Sequence, residues 1–290
     1  MFHLSPDRIE LYYFSKTECL FFEYVEACIE EIFTEAAPDA LMYASSSIIN
    51  VKRLYPLEAN DEFTQLLKRY MNARCNIESG NDYHPDSFMN KWVKNFRIGD
   101  HVSIIVDAEG LGVTIRLHKT EDDADGTLLA DNGYGITQMF AVLLNIEVAI
   151  MERKVIKRRP DKSLNPILGE DDMIKEITAA TIAIEEPEIH LHPSFQSKLA
   201  DMFYDAYKTY GIQFVIETHS EYLIRKSQLI VAGMGFENNK ESVAKSPFVT
   251  YYVPENSLPY SLGYRKDGKF IEPFGTGFYD ESANLAFELL

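Results

Sequence analysis

Apolar positions recur along the chain with two different periods, and the switches between them mark out its elements. From Lys16 to Ala36, Leu20, Val25, Ile29 and Phe33 fall at helical spacing between glutamates, which predicts an amphipathic helix closed before Pro38. A second helix is predicted from Asp61 to Ala73, with Asp61 as N-cap and Phe63, Leu66, Leu67, Tyr70 and Met71 on its apolar face. A third runs from Asp86 to Phe96, where Trp92 stands among Phe88, Val93 and Phe96 and reads as core. The period then shortens to two. His101 to Lys119 alternates on either side of Glu109-Gly110-Leu111-Gly112, the pattern of a β-hairpin. The acidic run Glu121 to Gly126 reads as an exposed turn, because it lacks the ligand spacing of an EF-hand calcium loop.

Asp131 to Ile150 is a strongly apolar helix opened by Gly133 and Gly135, where free N–H groups and close backbone approach suit an anion. Residues 154–176 lose steady periodicity, contain Pro160, Pro166 and Gly169, and read as a flexible insertion. Its opening cations, Arg153, Lys154, Lys157, Arg158 and Arg159, complement a helix C-terminus; contact with nucleic-acid phosphates is the alternative. Thr181 to Ile184 is a buried-strand run that ends in Glu185 and Glu186, followed by an amphipathic helix after Pro193. Ile212 to Ile216 is the neighbouring strand, ending in Thr218-His219-Ser220, so the segment forms a βαβ unit. Phe248 to Pro254 and Ser261 to Pro273 read as strands with an Asp267-Gly268 turn, and Asp280 to Leu290 as a short closing helix.

Composition narrows the classes. With 290 residues and 46% hydrophobic content the chain has material for a real core. A net charge of -17, from 45 acidic and 28 basic residues, excludes a surface that embraces a polyanion all round. Cys19, Cys28 and Cys75 form neither a disulfide framework nor a CxxC site, and read as buried small hydrophobes in a reducing compartment. The first residues lack the basic and apolar regions of a signal peptide, and no run approaches the ~18 apolar residues of a membrane span, so a cytoplasmic location away from membranes is expected.

The chemistry concentrates at the two strand ends. Adjacent carboxylates at a strand tip suit two tasks: one handles a magnesium ion and the next orients and deprotonates a water. Glu185 and Glu186 are candidates for these, with His219 reaching the same crevice to hydrogen-bond a terminal phosphate. A different reading takes His190 and His192, helped by Glu188, as the ligands of a metal-dependent hydrolase.

AIEEPEIHLHP, IETHS and the preceding GYGITQ together resemble the ABC-class P-loop ATPases of the SMC and OLD type, the group with an AAA-like, ABC-type domain. KDGKFIEPFGTGFYDE is similar to that group's C-terminal ending. The resemblance runs from about Tyr43 to the C-terminus, with three motifs in the right order. It implies an α/β fold, the C-terminal half of an ABC-type P-loop NTPase: a mostly parallel sheet with flanking helices plus β-hairpins. Periodicity and resemblance together divide the chain into a mainly helical part over 1–100, an ATPase core over 101–235 and a β-rich family-specific region over 236–290. Within the core lie a signature-like element at 131–138, a Walker B segment at 181–188 and a switch histidine at 219.

Carried onto this chain, the resemblance makes Glu185 the magnesium-handling acid, Glu186 the catalytic glutamate, His219 the switch histidine and His192 the D-loop residue. Gly133, Gly135 and Gln138 belong to the signature-like element, which caps the γ-phosphate on a second subunit. The implied cofactors are ATP and Mg²⁺, the implied partner a second copy or a P-loop-bearing subunit, and the implied setting DNA maintenance or anti-phage defence. DNGYGITQ lacks the serine and adjacent glycine pair of the usual signature. No Walker A loop precedes these motifs. GYRKDGK, 263–269, matches GxxxxGK, but Phe270 stands where Ser or Thr would bind magnesium, and the pattern is that of a hairpin. Hydrolysis is therefore expected to depend on a P-loop outside the chain, with a non-hydrolysing interaction module as the alternative.

Overall fold

The computed structural model of the chain describes residues 9–14, 41–44, 51–78, 87–152, 155–158, 174–177, 180–234, 246–254, 258–275, 284–285 and 287–288. Its main sheet runs in the order β12 (Tyr260–Leu262), β11 (Phe248–Val253), β1 (Ile9–Phe14), β10 (Ile212–Glu217), β9 (Ala180–Glu185) and β2 (Leu41–Ala44). Strands β11, β1, β10, β9 and β2 are mutually parallel, and β12 adds an antiparallel edge. Strands inside a parallel sheet of this kind are buried on both faces rather than on one. All six residues of β10 are buried accordingly.

The strands come from the first, middle and last parts of the chain. β1 is not foreshadowed by the sequence pattern, since a short apolar run with Glu10 inside it gives too little length for a period to show. The helix expected over Lys16 to Ala36 lies outside the described residues.

A second sheet holds the predicted hairpin, β4 (His101–Val106) against β5 (Gly112–His118), flanked by β3 (Tyr55–Pro56) and β6 (Thr127–Leu128). The acidic turn after β5 is built on Asp123, whose carboxylate accepts the N–H groups of Lys119 and Gly126 at 2.9 and 3.1 Å. Within the segment expected to be a flexible insertion, β7 (Val155–Arg158) and β8 (Ile174–Ile177) pair antiparallel. The β-branched residues Val155, Ile156, Ile174 and Ile177 give its two ends strand character that the prolines between them mask.

Among the described residues the longer helices are α1 (Glu62–Glu78), α2 (Phe88–Phe96), α3 (Tyr134–Glu152), α4 (Pro193–Tyr210) and α5 (Glu221–Ala232). Asp61 caps α1 as expected, its Oδ1 accepting the Thr64 N–H at 3.0 Å while Oδ2 takes the Lys52 ammonium at 2.8 Å. Ser87 caps α2, and Trp92 is core, its indole N–H bonded to Asp205 of α4 at 2.8 Å.

Helix α3 corrects the expectation that no run could span a membrane: by length and composition alone it could. Thr137 to Ala149 are all buried, however, and the helix packs on α1, α2, β9 and β2 as the core helix of the domain. Cys75 is exposed rather than buried, and the other two cysteines lie outside the described residues. The Asp267-Gly268 turn is a hairpin turn, with Gly268 at φ +80°, its N–H on the Arg265 carbonyl at 2.8 Å, and a Tyr264–Phe270 bridge behind it. GYRKDGK is thus not a phosphate loop. Residues 284–285 and 287–288 are helical, within the segment expected to close the chain as a helix.

Candidate functional site

Strands β9 and β10 lie side by side with Ile182 opposite Phe214 and Ile184 opposite Ile216, all buried in the main core. Alternation turns Thr181, Ala183 and Glu185 to the other face, opposite Gln213, Val215 and Glu217. At the amino end of that row Thr181 donates to the Gln213 side chain at 2.8 Å, a neutral pair that satisfies itself. At the carboxyl end the row finishes with Glu185 opposite Glu217, two carboxylates on adjacent strands. β1 ends beside them, with Tyr12 in register with Glu217. The polar chemistry therefore gathers at the carboxyl edge of the parallel strands, where open α/β sheets place their ligands.

Beyond Glu185 the chain turns sharply. Glu186 has φ +39° and His190 φ +61°, left-handed conformations that a non-glycine residue adopts only when its surroundings hold it. The Glu186 N–H is fixed on the Glu217 carbonyl at 3.0 Å, and its own carbonyl takes the Ile189 N–H at 3.0 Å. The Glu186 carboxylate is thereby placed 3.6 Å from His219 Nε2, which also lies 3.9 Å from the Glu217 carboxylate. Among the described residues no lysine or arginine pairs with Glu185, Glu186 or Glu188, so the edge is acidic with an imidazole beside it.

Glu188 is buried behind this turn. Its Oε1 accepts the His219 N–H at 2.6 Å, while Oε2 is buried without a partner among the described residues. Burial pushes its carboxyl up to about 7; bonds from Thr218 and from the Glu188 and His219 N–H groups oppose the shift, and the Glu186 charge adds to it. A second tie comes from Gln196 on α4, whose amide donates to the Leu191 carbonyl at 3.0 Å and accepts from the Ser220 hydroxyl at 2.6 Å. Ser220 in turn caps α5 through the Leu223 N–H at 3.2 Å.

A family model described as the AAA ATPase domain matches residues 18–224, more than half of the chain. The chain belongs to this family. No curated relative matches it. Among solved structures it is similar to the Smc head domain of Pyrococcus furiosus, with an extended coiled coil and bound to the C-terminal domain of ScpA. The TM-score is 0.36 at 9% identity, over 79% of this chain and 42% of that one, so the chain spans less than half the length of that relative.

In this AAA ATPase domain the predicted residues fall into two groups. Glu185, Glu186 and His219 come together at the strand ends. Gly133, Gly135 and Gln138 sit at the start of α3, which abuts the turn after β9: a Cβ on Gly135 would lie 2.7 Å from the His190 carbonyl oxygen, and the Tyr134 ring meets the His190 ring edge-on at 4.6 Å. Gly133 is exposed with open space where a Cβ would stand. Gln138 is buried, its Oε1 without a partner among the described residues.

His192 is the N-cap of α4, its Nδ1 accepting the Ser194 N–H at 3.3 Å. His190 and His192 are thus each engaged locally, and no group of three or more His, Cys, Asp or Glu side chains is gathered for a metal among the described residues. The sequence reading gave no role to Glu217 or Gln196. Glu217 had a signal, a carboxylate at the last position of a buried strand. Gln196 had none, since its role rests on a contact across 24 residues.

Proposed function

We propose that this AAA ATPase domain binds ATP and hydrolyses it with magnesium at the carboxyl edge of β9 and β10. The observation that carries the reading is the juxtaposition of Glu186 with His219 at 3.6 Å, beside the registered pair Glu185 and Glu217. Hard carboxylate oxygens fit a magnesium ion, which takes one or two carboxylates and otherwise water and phosphate oxygens. Glu185 would hold the ion, with Glu217 next to it. When bound, the ion screens the phosphates from the carboxylates and neutralises developing charge. Glu186 is the general base that takes a proton from the attacking water, and His219 donates a hydrogen bond to the terminal phosphate.

An acidic crevice repels a triphosphate unless cations intervene. The sequence holds no Gly-rich motif ending in Gly-Lys-Ser or Gly-Lys-Thr, and in this reading a P-loop-bearing subunit or an extension supplies the cradle. Of the signature-like residues, exposed Gly133 would face a nucleotide on a second subunit, with Gly135 and buried Gln138 behind it, and closure of that dimer around ATP is the output. The family resemblance directs the search for what it drives to DNA maintenance and anti-phage defence.

The test is ATP hydrolysis with magnesium by the chain alone and extended with the coding sequence upstream of Met1, each beside its Glu186→Gln form. Activity in the extended wild type and none in its Glu186→Gln partner supports the reading. Silence of every folded form replaces it with a non-hydrolysing module that acts on an intact ATPase.

A further inference from the structure

We propose that Glu188 is a positioning residue: its buried side chain ties the loop that carries His219 to the turn that carries Glu186, and so sets the distance between those two groups. The inference rests on the ATPase reading and deepens it.

The turn and the loop come from different strands, and neither is regular structure that would hold its own shape. Glu186 and His190 are both left-handed, conformations that the surroundings have to hold in place. Glu188 reaches from the middle of that turn to the His219 N–H at 2.6 Å. Its own carbonyl accepts the Leu191 N–H at 3.0 Å, which fixes the base from which the side chain reaches. The side chain is buried, with Glu186 from the turn and His219 from the loop facing it, and it acts on the imidazole only through the His219 backbone. A buried polar atom left without a partner, such as its Oε2, is uncommon enough in folded proteins to require a reason. Here the reason is that the carboxyl group is placed to serve the loop.

Glu188→Gln keeps the acceptor oxygen; Glu188→Met keeps the volume but leaves the His219 N–H without its acceptor. Hydrogen–deuterium exchange of the full chain reads the tie directly. Exchange of the amides from Thr218 to Ser220 is expected to rise about tenfold in Glu188→Met, and to stay within about threefold of wild type in Glu188→Gln. In hydrolysis by the extended chain, Glu188→Met is expected to lower kcat about 10- to 100-fold with KM within about twofold, and Glu188→Gln to restore most of it.

Unchanged exchange in Glu188→Met overturns the proposal whatever the hydrolysis does. So does faster exchange with kcat intact, because the tie would then not serve the reaction. If wild type itself is silent while exchange responds as expected, the ATPase reading fails and the tie between turn and loop stands.

Discussion

Glu147 and Glu188 are both buried carboxylates that accept a backbone N–H from another element, yet they do different work. Glu147, inside α3, takes the Met89 N–H at 2.8 Å and so satisfies a free donor in the first turn of α2. Burial pushes its carboxyl up to about 7, against the Met89 bond. Glu188 reaches the same value for the same first cause, but beside it stand Glu186 and His219. A raised carboxyl pKa therefore does not by itself mark a site in this protein. What distinguishes the two is the company of further titratable groups at a strand edge.

The largest expected effect separates the two regions by activity. In the extended chain Glu186→Gln should lower hydrolysis by about 10²- to 10⁴-fold, whereas Glu147→Gln should leave it within about twofold, as measured by phosphate release. A strong loss in Glu147→Gln would erase the distinction drawn here.

Next comes pH. In the unfolded chain both carboxyls ionise near 4.5, and in the folded chain near 7. Between those values the folded state holds protons that the unfolded state has released, so stability falls as pH rises through that window and is lowest above it. Each group contributes on the order of 3 kcal/mol to that fall. Tm at pH 5.5 should exceed Tm at pH 7.5, and Glu147→Gln and Glu188→Gln should each remove about half of the difference. A flat profile in wild type would show that neither carboxyl is displaced.

A smaller effect tests the structural member of the pair. Glu147→Ala should cost about 2 kcal/mol in denaturant unfolding, through the lost N–H partner of α2 and the space left behind, while the site chemistry is spared. The smallest concerns the contact between α3 and the turn after β9. Gly135→Ala should cost about 1–2 kcal/mol, because its Cβ meets the His190 carbonyl at 2.7 Å, and Gly133→Ala should fall within about 0.5 kcal/mol of wild type.

These residues also show what a sequence can and cannot reveal. The βαβ unit, the hairpin at β4 and β5 and the cap at Asp61 follow from local rules, because period and capping act over a few residues. Glu185, Glu186 and His219 were legible because each follows a buried strand run. β1 was not, because six residues with Glu10 among them carry no clear period, and only the strands on either side make it central. The ties made by Glu188 and Gln196 were hidden for a related reason: their partners lie 31 and 24 residues away, and nothing local marks them.

The central place of β1 also sets the order of assembly. Ile9 is paired with Phe214 on one side and Phe248 on the other, so the earliest described strand has both neighbours more than 200 residues later. Such distant pairing is entropically slow to form, while β9, α4 and β10 can associate locally as soon as they are made. During synthesis β1 waits for residues 212–253 before it can take its place between β10 and β11. The carboxylate edge can thus be built early, but the sheet that supports it closes last.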